Sequence, residues 1–153
     1  MLHLEGEKLL KQPYGEVWRK LVDLQFLVRC IPDVAEVKSI EDPTANVVLR
    51  PGFSFIRGEL QLSLTRQDAA EPERAAFLAR TKGIGSTADV LAAMTLSNQD
   101  GGTLMRWTAD VQQLGGLLKA VPRGLIQAAA SKVITDLLAG IERELASQPE
   151  PGA

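Results

Sequence analysis

The stretch LLKAVPRGLIQAAASKVITDLLAGIEREL, residues 117–145, is the longest periodic segment of the chain. Its apolar residues recur every three or four positions, which predicts a long amphipathic helix with a broad apolar face. The central stripe of that face consists of Leu118, Leu125, Ala129, Val133, Leu137, Ile141 and Leu145. Gly115-Gly116 precedes the helix as a hinge, and Pro149 and Pro151 end it. A helix of roughly 40 Å needs a large apolar partner.

The rest of the chain supplies that partner as a series of strands. Residues 2–10 alternate as a first strand, and two short helices follow, one opened by Pro13 and one capped by Asp23. About six further strands precede the long helix, and the clearest alternates from Ile56 to Thr65. Short turns separate them at Asp42-Pro43, Pro51-Gly52, 69–73, 83–86 and 98–102. The pattern predicts an α+β fold with a bent antiparallel sheet of about seven strands.

Length and composition narrow the class of protein. The 153 residues suit one domain over residues 1–147, followed by a disordered tail at 148–153. A net charge of −2 without a basic run argues against a nucleic-acid partner. The charged N-terminus is unlike a signal peptide, and the sequence contains no run of about 18 apolar residues. We therefore expect a cytoplasmic protein without a transmembrane segment.

The predicted inner face of the sheet carries many small residues. They are Gly6, Gly58, Ala75, Ala79, Ala88, Ala92 and Ala109. Aromatic residues make up only 5% of the chain, so few large side chains are available to fill the space below the helix. The alternative is that large side chains of the helix fill that space. We favour an apolar cavity, which could accept an apolar guest.

Residues that could carry chemistry are few. His3 is the only histidine and has the outward parity of its strand, and we interpret Cys30, the only cysteine, as a buried structural thiol. Residues 83–88 fit the pattern G-x-G-x-x-A, but a strand rather than a helix follows, so we interpret them as a turn. The sequence therefore predicts no catalytic residue, no metal site and no cofactor.

Three polar residues have the inward parity. Lys8, Thr81 and Gln113 would either orient a polar head group or make local contacts, and we favour local contacts. Phe53 and Phe55 either line a portal or form a small packing cluster, and the sequence leaves both open.

Several short motifs stand in order along the chain. They are Leu4-x-Gly6, Pro13-x-x-x-Val17-Trp18, Leu27-x-x-Cys30-Ile31-Pro32, Gly58-x-Leu60-x-Leu62, Pro72-Glu73, Lys82-Gly83, Gly101-Gly102-Thr103, Ala109-Asp110 and Gly115. Together, from about Leu4 to Leu145, they resemble the CoxG family, named after an accessory component of carbon monoxide dehydrogenase. This family is a branch of the superfamily that includes START domains, polyketide cyclases and the birch-pollen allergen. One departure is Asp33, where the family usually has glycine after Cys-Ile-Pro.

The resemblance implies a helix-grip fold, in which a bent antiparallel sheet holds the C-terminal helix over a hydrophobic cavity. It also implies binding of a lipid-like or isoprenoid molecule. For CoxG itself, it suggests a role in dehydrogenase maturation, or a link between that enzyme and the membrane quinone pool. Peripheral membrane contact is left open, because longer members carry a C-terminal segment suited to attachment whereas this sequence ends at Ala153.

Our leading hypothesis is a non-enzymatic protein that binds an apolar molecule such as an isoprenoid quinone or a lipid. The predicted ligand-binding residues are Leu60, Leu62, Phe77, Val90, Ala92, Met94, Met105, Trp107, Leu125, Ala129 and Val133. Two alternatives remain: an enzyme of the cyclase or hydrolase type on the same fold, and an adaptor that docks a partner such as a molybdenum-containing dehydrogenase.

Overall fold

The computed structural model describes residues 2–52, 58–70 and 74–147. Its elements are β1 (Leu2–Leu10), α1 (Tyr14–Leu21), α2 (Leu24–Cys30), β2 (Val34–Glu41), β3 (Thr44–Leu49), β4 (Leu60–Ala70), β5 (Arg74–Gly83), β6 (Ser86–Gln99), β7 (Gly102–Gly116), a 3₁₀ helix (Leu117–Ala120) and α3 (Arg123–Ser147). The predictions for Phe53 and Phe55, for the Pro72-Glu73 motif and for the tail at 148–153 lie outside the described residues.

The strands form one antiparallel sheet in the order β1-β7-β6-β5-β4-β3-β2. This confirms the predicted sheet of about seven strands, the two short helices after the first strand and the long C-terminal helix. Because each strand from β2 to β7 pairs antiparallel with the next strand in the sequence, these six strands make a meander, and β1 lies at the edge beside β7. Residues 83–86 are the turn between β5 and β6, and the strand that follows excludes a Rossmann-type phosphate loop there.

The two short helices begin where the sequence predicts. Val17 N donates to Pro13 O at 3.0 Å in the first turn of α1, where proline's missing N–H is not needed. The Asp23 side chain caps α2 by accepting from Gln25 N at 2.9 Å. The resulting pair places Val17, Leu21 and Phe26 in the core.

The long helix is shorter at its start than predicted. Residues 117–120 form a separate 3₁₀ helix, and α3 begins only at Arg123. The cause is Pro122, because the residue before a proline disfavours the α region. Val121 is accordingly extended, with φ −77° and ψ 131°. Gly115 and Gly116, predicted as a hinge, lie at the end of β7, where a Cβ on Gly116 would overlap Gly85 O.

By length and composition α3 is also long and apolar enough to cross a membrane. This is weak evidence, since core helices of soluble proteins meet the same criteria, and here the helix packs on α2 and β1. Only 17% of its most apolar 18-residue window is buried, however. The apolar surface of α3 therefore exceeds what the described residues cover.

Candidate functional site

One face of the sheet, called the inner face below, looks toward α3 and carries every strand residue predicted to bind a ligand. The register shows this directly, because residues paired across an antiparallel sheet share a face. Trp107 pairs with Gly6 and Met94, and Ala92 pairs with Phe77. The inner-face set is Leu60, Leu62, Phe77, Val90, Ala92, Met94, Met105 and Trp107.

The C-terminal half of α3 is fixed tightly to α2. Gly140 lies so close to the backbone of Cys30 that a Cβ would come within 2.5 Å of Cys30 O. Ile141 and Leu145 are buried beside it. Glu142 pairs with Lys8 of β1 at 3.4 Å. Close packing and this cross-element ion pair position α3 over the β1 side of the sheet.

At its other end α3 is held by Ile126, which is buried with Leu2, Val111 and Leu118. A second and larger cluster unites α1, α2 and the C-terminal end of α3 with Phe77, Met94 and Met105. The core thus has two packed ends. Ala92 belongs to neither cluster of described residues, and Val90 is only partly buried where it packs against the smaller one.

The middle of α3 has no fully buried side chain. No residue from Gln127 to Ala139 is buried, although this segment spans about 20 Å. Val133 lies seven positions after buried Ile126 and seven before buried Gly140, so it shares their face of the helix. Even so, Val133 is 39% exposed. The helix therefore presents accessible apolar surface on its packed side, between the two clusters.

Below, the opening denotes this exposed apolar side of α3 at residues 127–139 together with the inner-face residues that are only half-buried. The remaining predicted helix residues lie beside it. Ala129 is half-buried on the same side as Val133, whereas Leu125 lies on the flank of the buried face and is 47% exposed. On the sheet, Val90, Ala92 and Trp107 are half-buried, and the other five predicted residues are buried in the wall or floor. The fold thus brings the eight predicted strand residues to one face of the sheet, the face that looks toward α3.

Trp107 lies on the inner face and packs against the larger core cluster. Its indole lies over Gly6, where a Cβ would meet Trp107 Cζ2 at 2.6 Å, so only glycine fits beneath the ring. The Nε1 atoms of Trp107 and Trp18 are buried and have no hydrogen-bond partner among the described residues. A buried N–H without an acceptor is uncommon in folded proteins. Periodicity in the sequence does not reveal this feature, because it depends on ring orientation.

The polar residues predicted to face inward behave differently from one another. Lys8 reaches Glu142, and Thr81 Oγ1 donates to Ala88 O at 3.4 Å, so both make local contacts. The prediction for Gln113 is wrong. A register shift between Asp89 and Val90 moves Gln113 to the exposed outer face and turns Leu114 inward.

The two reactive side chains lie away from the opening. His3 is exposed on the outer face, where Nδ1 lies 2.5 Å from Asp110 Oδ1, and this hydrogen bond raises the pKa of His3 above its usual 6.5. Cys30 is 2% exposed and donates to Phe26 O at 3.3 Å. Burial raises the pKa of the Cys30 thiol to about 12, so the thiolate nucleophile is scarce at neutral pH. Across the part of the chain that the structure describes, no three His, Cys, Asp or Glu side chains gather as metal ligands would.

Comparison with known families shows where the chain belongs. The family model that describes the CoxG subunit of carbon monoxide dehydrogenase matches residues 6–146. The chain belongs to this family. The match extends from β1 almost to the end of α3, so it includes the opening between the two packed ends. No curated protein matches the chain.

Solved structures with the same fold show how widely it recurs. A conserved protein from Geobacillus kaustophilus is 23% identical with a TM-score of 0.85, and the alignment covers 95% of this chain and 96% of that one. A protein from Thermus thermophilus is 17% identical with a TM-score of 0.69 and coverage of 97% and 100%. A protein from Arthrobacter aurescens is 10% identical with a TM-score of 0.70 and coverage of 97% and 88%. At such identities these structures establish only the fold of this CoxG family member.

Proposed function

We propose that this CoxG family member is a binding protein for a hydrophobic, lipid-like or quinone-like small molecule, which lies between the inner face of the sheet and the middle of α3. We further propose that it has no catalytic activity of its own and acts in the cytoplasm. In this role it would serve a dehydrogenase related to carbon monoxide dehydrogenase, as the family's name suggests.

The observation that carries the proposal is the exposure of Val133 on the packed side of α3. A helix normally buries its apolar face against the core, yet Val133 stays 39% exposed between buried Ile126 and Gly140. Covering about 200 Å² of apolar surface there would contribute roughly 5 kcal/mol. Met94 and Met105 lie in the larger cluster on the same face, and their flexible side chains can adapt to guests of different shapes.

A bulky substitution on the sheet tests the site. Ala92→Trp places an indole in the opening, whereas Ala93→Trp places the same indole on the outer face, because Ala93 pairs with Ala76 and Thr108 rather than with Phe77 and Ala109. We expect the first variant to lose uptake of a fluorescent fatty acid and of a short-chain quinone, and the second to retain both. Equal uptake by the two folded variants would sink the proposed site.

A second pair of variants tests the same site from the helix, in case Ala92→Trp does not fold. Val133→Trp extends from a position that is already 39% exposed, and Thr135→Trp lies on the opposite side of the same helix. Circular dichroism and thermal melting should show both variants folded. Loss of uptake only in Val133→Trp supports the site. Loss in both, or in neither, contradicts it.

The ligand itself can be identified by native mass spectrometry of the purified protein, followed by extraction into organic solvent. A co-purifying isoprenoid quinone supports an electron-carrier role tied to a dehydrogenase. A fatty acid or phospholipid instead supports a lipid carrier. An empty protein that also takes up neither added quinone nor added lipid overturns the binding function.

A further inference from the structure

The outer face of the sheet carries a groove that the hydrophobic site does not use. It encloses approximately 410 Å³, within the range of small-molecule sites. The lining residues on the outer face are Lys38, Asn46, Gln61, Ser63, Arg80 and Lys82, and the other three alternate onto the inner face. The groove and the opening below α3 are therefore separated by the thickness of the sheet.

The strand register aligns the groove's side chains in rows. Arg80 pairs with Ser63, Ser63 with Asn46, and Asn46 with Ser39, so one polar row crosses four strands. In the next row Lys82 pairs with Gln61. A register shift between Val37 and Ser39 on β2 places Lys38 at the end of these rows. Neighbouring side chains on one face lie close enough to contact a shared ligand.

The floor of the groove offers hydrogen-bond donors. Ser63 Oγ donates to Asn46 Oδ1 at 2.9 Å, and Asn46 Nδ2 donates to Ser39 Oγ at 3.2 Å. This chain of hydrogen bonds satisfies the amide oxygen of Asn46 but leaves its second N–H and the Ser39 hydroxyl hydrogen available. Gln61 adds an exposed amide. These groups favour a ligand rich in acceptors.

Three cations line the groove, and two of them pair with carboxylates that lie outside the lining. None of the nine lining residues is acidic. Arg80 Nε lies 3.8 Å from Asp89, and Lys38 Nζ lies 3.5 Å from Glu36 with both side chains more than half exposed. The pair of Lys38 and Glu36 is exposed on both sides and stabilises little, whereas the Asp89 side chain is only 26% exposed. Lys82 makes no ion pair within residues 2–52, 58–70 and 74–147.

From this combination we propose that the groove binds a small polyanion that carries phosphate or carboxylate groups. The three cations neutralise its charge, and the amide donors of Asn46 and Gln61 orient its oxygens. The site is independent of the hydrophobic opening, so the protein holds an apolar molecule and an anion on opposite faces of the same sheet.

The proposal is tested by titrating the protein with pyrophosphate and, separately, with citrate while the amide chemical shifts are measured by NMR. We expect saturable shifts at Lys38, Asn46, Ser63, Arg80 and Lys82, with affinity that falls as salt is added. Pyrophosphate binding alone identifies phosphate ligands, and citrate binding alone identifies carboxylate ligands; either result supports the site.

Charge-matched variants separate this site from a general effect of net charge. The groove variant Lys38→Gln/Arg80→Gln/Lys82→Gln and the control Lys11→Gln/Arg106→Gln/Lys119→Gln each remove three positive charges from exposed positions. We expect the groove variant to bind at least about tenfold more weakly and the control to bind as the parent does. Equal loss in both, shifts that do not saturate, or binding only of an acidic peptide such as hexaglutamate overturns the proposal. Uptake of the apolar probe should be unchanged in both variants.

Discussion

At the scale of single residues, Asp33 occupies a backbone position that favours glycine. Its φ of 63° lies in the left-handed region, where residues with a Cβ are strained. Asp33 O nevertheless accepts from Arg50 N at 2.9 Å, which ties the end of α2 to the end of β3. The left-handed backbone conformation therefore explains why the family usually has glycine after Cys-Ile-Pro. This chain keeps that conformation with Asp33, which lowers the free energy of unfolding.

Asp33→Gly should stabilise the fold because it removes that cost. We expect the free energy of unfolding to rise by about 1 kcal/mol in urea denaturation. Ala35→Gly, two residues later in β2, is the control and should lower it by about 0.5–1 kcal/mol, since glycine weakens a strand. A destabilised Asp33→Gly would show that the Asp33 side chain matters more than its φ.

His3 offers a titration that a single NMR signal can follow, because it is the only histidine. Its pKa should lie above 6.5 and return toward that value in Asp110→Asn, since the Asp110 hydrogen bond raises it. A raised pKa means that the pair stabilises the folded chain fully below pH 6.5 and that this contribution is lost as the pH rises through the folded pKa. An unshifted pKa in the parent protein would contradict the pairing.

At the scale of elements, the contact between Gly140 of α3 and the end of α2 determines where the long helix lies. Gly140→Ala should destabilise by roughly 1–3 kcal/mol, because the new methyl group meets the rigid Cys30 carbonyl. Gly124→Ala in the same helix is the control, since nothing lies within 4 Å of its Cβ. There we expect no loss, or a gain of up to about 1 kcal/mol. Thermal and urea unfolding of both variants measure the difference, and equal effects would argue against the close contact.

At the scale of the whole molecule, the two packed ends of the core predict how a ligand acts on stability. A guest that fills the opening should slow hydrogen exchange at residues 127–139 more than in α2. Residues 127–139 have no buried side chain without the guest, whereas α2 is already packed in the core. At a free concentration of about 100 times Kd, it should also raise the free energy of unfolding by about 2.7 kcal/mol. Hydrogen–deuterium exchange with and without a short-chain quinone checks both the place and the direction. Uniform protection across the chain would contradict binding at this site.

Sequence patterns alone predicted the order of the elements and most of the inner face of the sheet. Alternation in β1 and β4 to β7 assigned Ala92, Met94 and Trp107 to one face, because a strand's side chains alternate strictly with position. The motifs in order predicted the family correctly. These features depend on local periodicity and on the order of residues, which the sequence displays directly.

Which apolar residues are buried depends on the packing of elements that are distant in the sequence. Val133 and Ile126 are alike in sequence pattern, but one is 39% exposed and the other buried, because α3 is held at its ends and spans the sheet's small residues between them. The register shift that turned Gln113 outward, and the rows that gather Lys38, Arg80 and Lys82, likewise arise from pairing between distant strands. Burial and charge clustering depend on contacts across the fold, and periodicity along the chain does not record them.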